Sequence, residues 1–276
     1  MSTDQRSKAE ALRALHREGV LVLPNAWDAA SAALVARAGA RVVATTSGGV
    51  AWSQGRSDGH GLRRDEMVDQ VRRIASVVDV PVTADVEGGY GPAPEDVAAT
   101  VEAIVAAGAV GVNLEDSRAP GGPLFTPSEQ ADRLRAGRKA AERAGLPELV
   151  INARTDVYLF GIGEAAGRPA EVLARADAYA EAGADCLFVP GLIDLDALAE
   201  LVKRAPLPIS VMAWPGAPTV DEFRAAGVRR VSVGTGIAQA AYTLVEKAAT
   251  EMLTTGGYTT LDGALGFGEI NGLVAG

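Results

Sequence analysis

Apolar positions along this chain follow two alternating rhythms. Short runs rich in Val, Ile and Leu are separated by longer Ala-rich stretches in which apolar residues recur every three or four positions. That alternation marks βα units feeding a parallel sheet. It predicts an amphipathic opening helix over about 6–18 and strands over 20–24, 41–46, 81–87, 110–115, 149–154, 185–189, 208–213 and 230–233, each followed by a helix. Several helices end in the same step just before the next strand: Ala38-Gly39-Ala40, Ala107-Gly108-Ala109, Ala182-Gly183-Ala184 and Ala226-Gly227-Val228. A helix C-cap followed by a tight αβ turn needs such a step. Eight units in about 250 residues fit an α/β fold of the (β/α)8 TIM-barrel type, whereas a doubly wound sheet normally has five or six strands. The division expected is an N-terminal helix (1–18), a single barrel domain (19–254) and a Gly-punctuated C-terminal tail (255–276) free to pack on a neighbour or to fray.

Composition narrows the partners. The chain of 276 residues is 48% hydrophobic and carries a formal charge of −9, with Lys and Arg scattered along helical segments. No basic patch for nucleic acid is expected from that distribution. The most apolar long stretch, 97–114, is interrupted by Glu102, Gly108 and Gly111 and divides into a helix pattern and a strand pattern, so no membrane span is expected. The lone Cys186 has no internal disulfide partner, and the N-terminus lacks the order of charges and apolar residues of a signal peptide, so a cytoplasmic location is expected.

Active sites of TIM barrels lie at the C-terminal ends of the strands. There the sequence places Thr45-Thr46-Ser47-Gly48-Gly49, Asp85-Val86-Glu87-Gly88-Gly89-Tyr90-Gly91, Asn113-Leu114-Glu115-Asp116 and Asn152-Ala153-Arg154-Thr155-Asp156. In a regular strand Asp85 and Glu87 face the same side, and Glu115 from the adjacent strand can join them. Three carboxylates gathered in one place repel one another unless a cation sits between them. Hard oxygen ligands that leave room for water and substrate suit Mg2+, with Mn2+ an acceptable substitute. Zinc is disfavoured, because the histidines are only His16 and His60. An isolated strand-end Asp more often caps a helix, but three carboxylates on neighbouring strands favour a metal site.

Taken in order, Pro24-Asn25-Ala26-Trp27-Asp28, Thr45-Thr46-Ser47-Gly48, Asp58-Gly59-His60, Asp85 through Gly91, Asn113 through Ser117 and Asn152 through Asp156 resemble the motif series of the isocitrate lyase / phosphoenolpyruvate mutase superfamily over roughly 20–250. The resemblance implies that Asp85 holds Mg2+ directly while Asp58, Glu87 and Glu115 hold its waters. It implies that Ser47 and Gly48, beside Thr46, offer backbone N–H groups to a substrate carboxylate, and that Arg154 neutralises developing charge. It also implies a homo-oligomer, a dimer of dimers that exchanges a C-terminal helix. A small α-keto carboxylate chelating the cation, cleaved to a stabilised enolate, fits these roles.

The chain departs from those relatives after the fourth strand. Where isocitrate and methylisocitrate lyases carry a Lys-Lys-Cys-Gly-His-type loop, it reads Ser117-Arg118-Ala119-Pro120-Gly121-Gly122-Pro123-Leu124-Phe125; residues 116–127 also lack the Asn used by phosphonopyruvate enzymes. What remains is carbon–carbon cleavage of a small α-keto or 2-hydroxy acid, as in an oxaloacetate decarboxylase or a 2-substituted malate lyase. The alternatives are C–P chemistry of the phosphonomutase or phosphonopyruvate hydrolase kind and a non-catalytic carboxylate- or phosphate-binding barrel, the latter through Gly234-Thr235-Gly236. A Schiff-base aldolase is disfavoured, since Lys8, Lys139, Lys203 and Lys247 all fall on expected helices. His60 is a candidate acid or base, balanced against a solvent-facing loop histidine. Asn113 and Trp214 are candidate substrate contacts, Trp214 with packing as its competing role. Cys186 reads as core and His16 as structural.

Overall fold

The computed structural model describes residues 3–59 and 61–274. Nine parallel strands follow one another in the order expected for a barrel: β1 (Leu21–Leu23), β2 (Asn25–Ala26), β3 (Val43–Thr45), β4 (Val82–Asp85), β5 (Gly111–Glu115), β6 (Val150–Arg154), β7 (Cys186–Phe188), β8 (Ile209–Met212) and β9 (Arg230–Ser232). Each pairs with the next from β2 to β9, and β1 pairs with β9. β1 lies within the first strand expected over 20–24, and β2 continues that strand beyond its expected end. Pro24 divides them because it has no N–H for the ladder. At that break the Asn25 side chain takes over: its Nδ2 donates to the Thr45 carbonyl (2.9 Å) and its Oδ1 accepts from Val233 N (3.0 Å). The ring therefore closes on one strand whose lower half bonds β9 and whose upper half bonds β3.

Helices cover the outside, and the αβ turns are as expected: Gly108 and Gly183 sit at φ 101° and 90°, a region open to glycine at little cost. The opening helix runs Thr3–Leu15, three residues earlier than its apolar period suggested, with Asp4 in its first turn. It closes the floor of the barrel. Gln5 Nε2 donates to the carbonyls of Val105 and Ala109, Arg13 pairs with Asp185 at 3.1 Å, and the fully buried Leu12 lies where a Cβ on Gly111 would come within 2.8 Å of its Cδ2. Burying Leu12 contributes roughly 1.5–3 kcal/mol.

Two helices fall outside the expected pattern. Ser47–Ser53 follows β3 at once, ahead of the longer Arg64–Ala75. The C-terminal tail contains the helix Phe267–Val274, which lies on its own chain's helix Ala29–Arg37, with Arg37 and Glu269 3.6 Å apart. Among the described residues no helix is long and apolar enough to cross a membrane.

Strand periodicity sends alternate side chains into the barrel. Asn113 Oδ1 accepts from Asn152 Nδ2 (2.8 Å) and from Arg230 Nη2 (2.9 Å), contacts that β5, β6 and β9 can share only across the interior. This polar layer lies two residues before the strand ends that carry Glu115 and Arg154, with Asp85 the register partner of Asn113.

Candidate active site

Asp85 closes β4 and is fixed from two sides. Its N–H donates to Thr45 Oγ1 (2.8 Å), and its Oδ2 accepts from Ser47 N (3.2 Å). Thr46 is the N-cap of the helix Ser47–Ser53, so that helix opens directly beside the carboxylate. First-turn N–H groups lack intrahelical acceptors; Asp85 takes that of Ser47, and those of Gly48 and Gly49 follow it. Asp58 reaches the same place from the loop ahead of Arg64. A Cβ on Gly48 would lie 3.0 Å from Asp58 Oδ2 and 2.7 Å from Thr235 Cγ2, so only glycine fits between them.

Glu87 arrives by a different route from the one its spacing suggested. β4 ends at Asp85, and Glu87 is turned into the left-handed region (φ 49°), as is Tyr90 (φ 60°). The ladder survives the turn, because Glu115 N donates to the Glu87 carbonyl (3.0 Å). Two non-glycine residues held at positive φ within four positions are a costly arrangement of the kind that gathers at functional sites.

Glu115 and Arg154 are register partners on β5 and β6, and Arg154 Nη1 meets Glu115 Oε2 at 2.8 Å. Arg154 Nε donates to Asp156 Oδ1 at 2.6 Å. Burial works to lower the Arg154 pKa, but Glu115, Asp156 and Asp85 outweigh it and hold the guanidinium above the ordinary arginine value. Asp85 is pushed up by burial and by Asp58, against the pull of Arg154 and the Ser47 N–H. The Tyr90 hydroxyl, buried and without a hydrogen-bond partner, is raised well above its usual value by burial and then by Glu87, Asp85, Glu115 and Asp58. Those four carboxylates therefore all lie near the Tyr90 hydroxyl, and two of them, Glu115 and Asp85, also act on Arg154.

That excess of negative charge, with Glu87 and Glu115 buried, Asp85 half-buried and Asp58 exposed, is the observation against which Mg2+ is judged, and the donor set fits it. Asp85 would touch the ion, with Asp58, Glu87 and Glu115 reaching it through water. Among the described residues no three Asp, Glu, His or Cys groups converge directly on one point. A hydrated Mg2+ held by one or two carboxylates does not require such convergence. Glu115 faces Arg154 here because the register makes that guanidinium its nearest cation.

The other expected residues divide. Ser47, Gly48 and Thr46 are at the mouth. Asn113 is the register partner of Asp85, and its side-chain oxygen accepts from Asn152 and Arg230. Trp214 follows β8 but is 41% exposed, with no hydrogen bond or ring contact to the cluster among the described residues. His60 lies outside the described residues. Lys8, Lys139, Lys203 and Lys247 all lie on helices, as expected.

The segment after β5 forms a small hairpin. Ser117 bridges Leu124, Arg118 N donates to the Pro123 carbonyl (2.9 Å), and Phe125 N donates to the Asp116 carbonyl (2.8 Å). The Phe125 ring is sandwiched between the Arg118 and Arg133 guanidinium groups, each 4.1 Å from its centroid. Pro120 occupies the space a Cβ on Gly59 would need, so the hairpin rests on the loop that carries Asp58. Arg133 was missed by sequence reasoning, as were Arg175 and Tyr179. Their signal was present: Arg133 shares a buried stripe with Gln130, Leu134 and Gly137, and Arg175 one with Val172, Ala176 and Tyr179. A cation inside an apolar stripe asks for a buried partner.

Known proteins share this fold and much of its sequence. The family model described as phosphoenolpyruvate phosphomutase matches residues 12–253. The 2-methylisocitrate lyase of Salmonella typhimurium is 34% identical, the match covering 80% of this chain and 77% of that protein. A Burkholderia cenocepacia protein assigned as a lyase/mutase has a crystal structure that superposes with a TM-score of 0.90 at 37% identity, over 99% of this chain and 98% of that one. Oxaloacetate acetylhydrolase, solved with its product oxalate, gives a TM-score of 0.86 at 26% identity over 98% and 94% of the two chains.

Proposed function

This chain belongs to the phosphoenolpyruvate phosphomutase family, among lyases and mutases, and from that membership and its acidic mouth we propose that it is a Mg2+-dependent carbon–carbon lyase. Its substrate is a small α-keto or 2-hydroxy carboxylic acid of the oxaloacetate or 2-substituted malate type. The observation that carries the reading is the set Asp58, Asp85, Glu87 and Glu115 near Tyr90, with Glu115 paired to Arg154, beside a hairpin that holds no Cys, His or Lys. A bound divalent cation would supply Lewis-acid stabilisation of enolate charge.

The chain's own residues supply the rest. Asp85 is prefixed by two hydrogen bonds, so ordering it costs little when the ligand arrives. Arg154, kept protonated by its carboxylate neighbours, neutralises the negative charge that develops on the substrate oxygens. Of the two expected donors, Ser47 N is taken by Asp85, and the N–H of Gly48 at the same helix start is offered to a substrate carboxylate. In decarboxylation of oxaloacetate, the C3–C4 bonding pair moves into C2–C3 as CO2 leaves, and C3 of the resulting pyruvate enolate then takes a proton. The hairpin between Ser117 and Phe125 keeps water from that enolate.

The exposed apolar side chains Tyr242, Leu244, Val245, Met252 and Leu253 on the helix Gly236–Thr254 support association into an oligomer as part of the same reading. To test the activity, pyruvate release is followed from oxaloacetate, 2-methylmalate, methylisocitrate and phosphonopyruvate, with and without Mg2+. Turnover of a carbon–carbon substrate that vanishes with EDTA and in Asp85→Ala is the expected result. Turnover of phosphonopyruvate alone, or turnover indifferent to EDTA, would refute it.

A further inference from the structure

Behind the mouth, on the side away from the four carboxylates, a second buried network joins the outer helix Arg168–Glu181 to Arg154. Tyr179 OH donates to Asp116 Oδ2 (2.7 Å). Arg175 Nη1 lies within hydrogen-bond distance of Asp116 Oδ2 (2.9 Å), the Phe125 carbonyl (2.8 Å) and Tyr179 OH (3.0 Å). The other oxygen of Asp116 accepts from Asp156 N (3.0 Å). Asp156 in turn gives one carboxylate oxygen to Arg154 Nε and the other to Ser117 Oγ, both at 2.6 Å. Asp116, Ser117, Asp156 and Tyr179 are fully buried, and Arg175 is 5% exposed.

We propose that Asp116, Arg175 and Tyr179 form a positioning unit that fixes Arg154 through Asp156 and seats both feet of the hairpin on the same support. Two features favour this over a mere tie between helix and barrel. Burying two carboxylates, a guanidinium and a phenol is a poor way to gain stability, since apolar residues of similar volume commonly do as well or better. The network's ends also fall on working parts: Ser117 and Phe125 are where the hairpin leaves and rejoins the barrel, and Arg154 is the cation of the mouth. With Nη1 held by Glu115 and Nε by Asp156, the guanidinium cannot swing toward Glu115 alone. Lifting the hairpin breaks the Ser117 bond to Asp156, so closure of the site and orientation of its arginine are one event.

The role assigned to Arg154 rests on the lyase reading, and the test separates the two. In 15N-labelled protein, the Arg154 Nε–H resonance, identified by its loss in Arg154→Lys, reports the bond to Asp156 with no ligand or turnover needed. In Tyr179→Phe and in Arg175→Lys its exchange with water is expected to rise at least tenfold, with far-UV circular dichroism unchanged. Oxalate affinity, measured by calorimetry with Mg2+ present, is expected to fall about tenfold, while the affinity for Mg2+ alone stays as it was. In the Arg154→Lys background, Tyr179→Phe should cost nothing further. An Nε–H as protected in the two folded variants as in the parent, or losses of oxalate affinity that simply add, would overturn the positioning unit. A parent protein that binds neither Mg2+ nor oxalate sinks the lyase reading alone, and the exchange rates still decide the positioning unit.

Discussion

Acid should weaken this barrel through its floor. His16, at the end of the plug, is 4% exposed and lies between two groups that dictate its proton. Its Nδ1 is 2.8 Å from the Leu12 carbonyl, which can only accept, so Nδ1 carries the hydrogen. Nε2 then offers its lone pair to Arg230 Nη1 at 3.4 Å. A second proton would set imidazolium against guanidinium in a buried layer. Burial first, and Arg230 second, accordingly lower the His16 pKa from 6.5 to about 4, against a small opposing pull from Leu12. The unfolded chain takes up that proton near pH 6.5 and the folded chain only near pH 4. Between those values unfolding binds a proton. The contribution of neutral His16 is therefore whole above pH 6.5, falls by about 1.4 kcal/mol per pH unit below it, and totals about 3 kcal/mol by pH 4. In His16→Gln the side-chain oxygen can still accept from Arg230, but nothing there titrates. Thermal unfolding of both proteins from pH 7 to pH 4 cancels the carboxylates they share. The parent should lose roughly 6–12 °C more than the variant, taking 2–4 °C per kcal/mol for a domain of this size. Parallel curves would refute the burial argument.

Three further outcomes follow from the geometry. Gly48→Ala pushes a methyl toward Thr235 and Asp58, so turnover should drop at least tenfold while stability falls by about 1–3 kcal/mol; thermal melts and steady-state rates read the two separately. The Cys186 thiol, buried and pushed up to about 12, should resist a disulfide reagent at pH 8 in the native protein and react at once in guanidinium. Rapid native labelling would contradict its place in the core. Leu244→Glu with Leu253→Glu should lower the molar mass measured by light scattering, whereas an unchanged mass would mean that this helix face is not the contact.

The parts of the site that could be read from the chain are those that regular strands deliver. Asp85, Glu115 and Arg154 close successive strands, and an extended backbone carries them to one rim whatever the loops do. Glu87 was placed at the mouth by a period of two that stops at Asp85; it arrives through a left-handed turn whose φ no pattern of apolar residues encodes. Asn113 shows the converse limit. It shares the parity of Glu115, which fixes its face, but no pattern of apolar residues tells that its oxygen meets Asn152 and an arginine from the last strand. Trp214 follows a strand, yet its exposure depends on the turn after β8. Arg175 and Tyr179 come from an outer helix, and only the fold brings them within reach of Asp116. The split of the first strand at Pro24 was legible in principle, because proline cannot serve a ladder on both sides.

That split strand carries a consequence for synthesis. β1 has its hydrogen-bonding partner about 200 residues downstream, and at 5–20 residues per second the emerging chain waits on the order of 10–40 s for it. Through that interval the bonds of Leu21–Leu23 to β9 cannot form, and a growing sheet offers an open margin to any neighbour. Arg230 arrives with the closing strand and brings the guanidinium that locks Asn113 and faces His16. Synthesis of β9 thus installs this interior cation, so a ribosome stalled before it would hold a barrel with neither seam nor that cation.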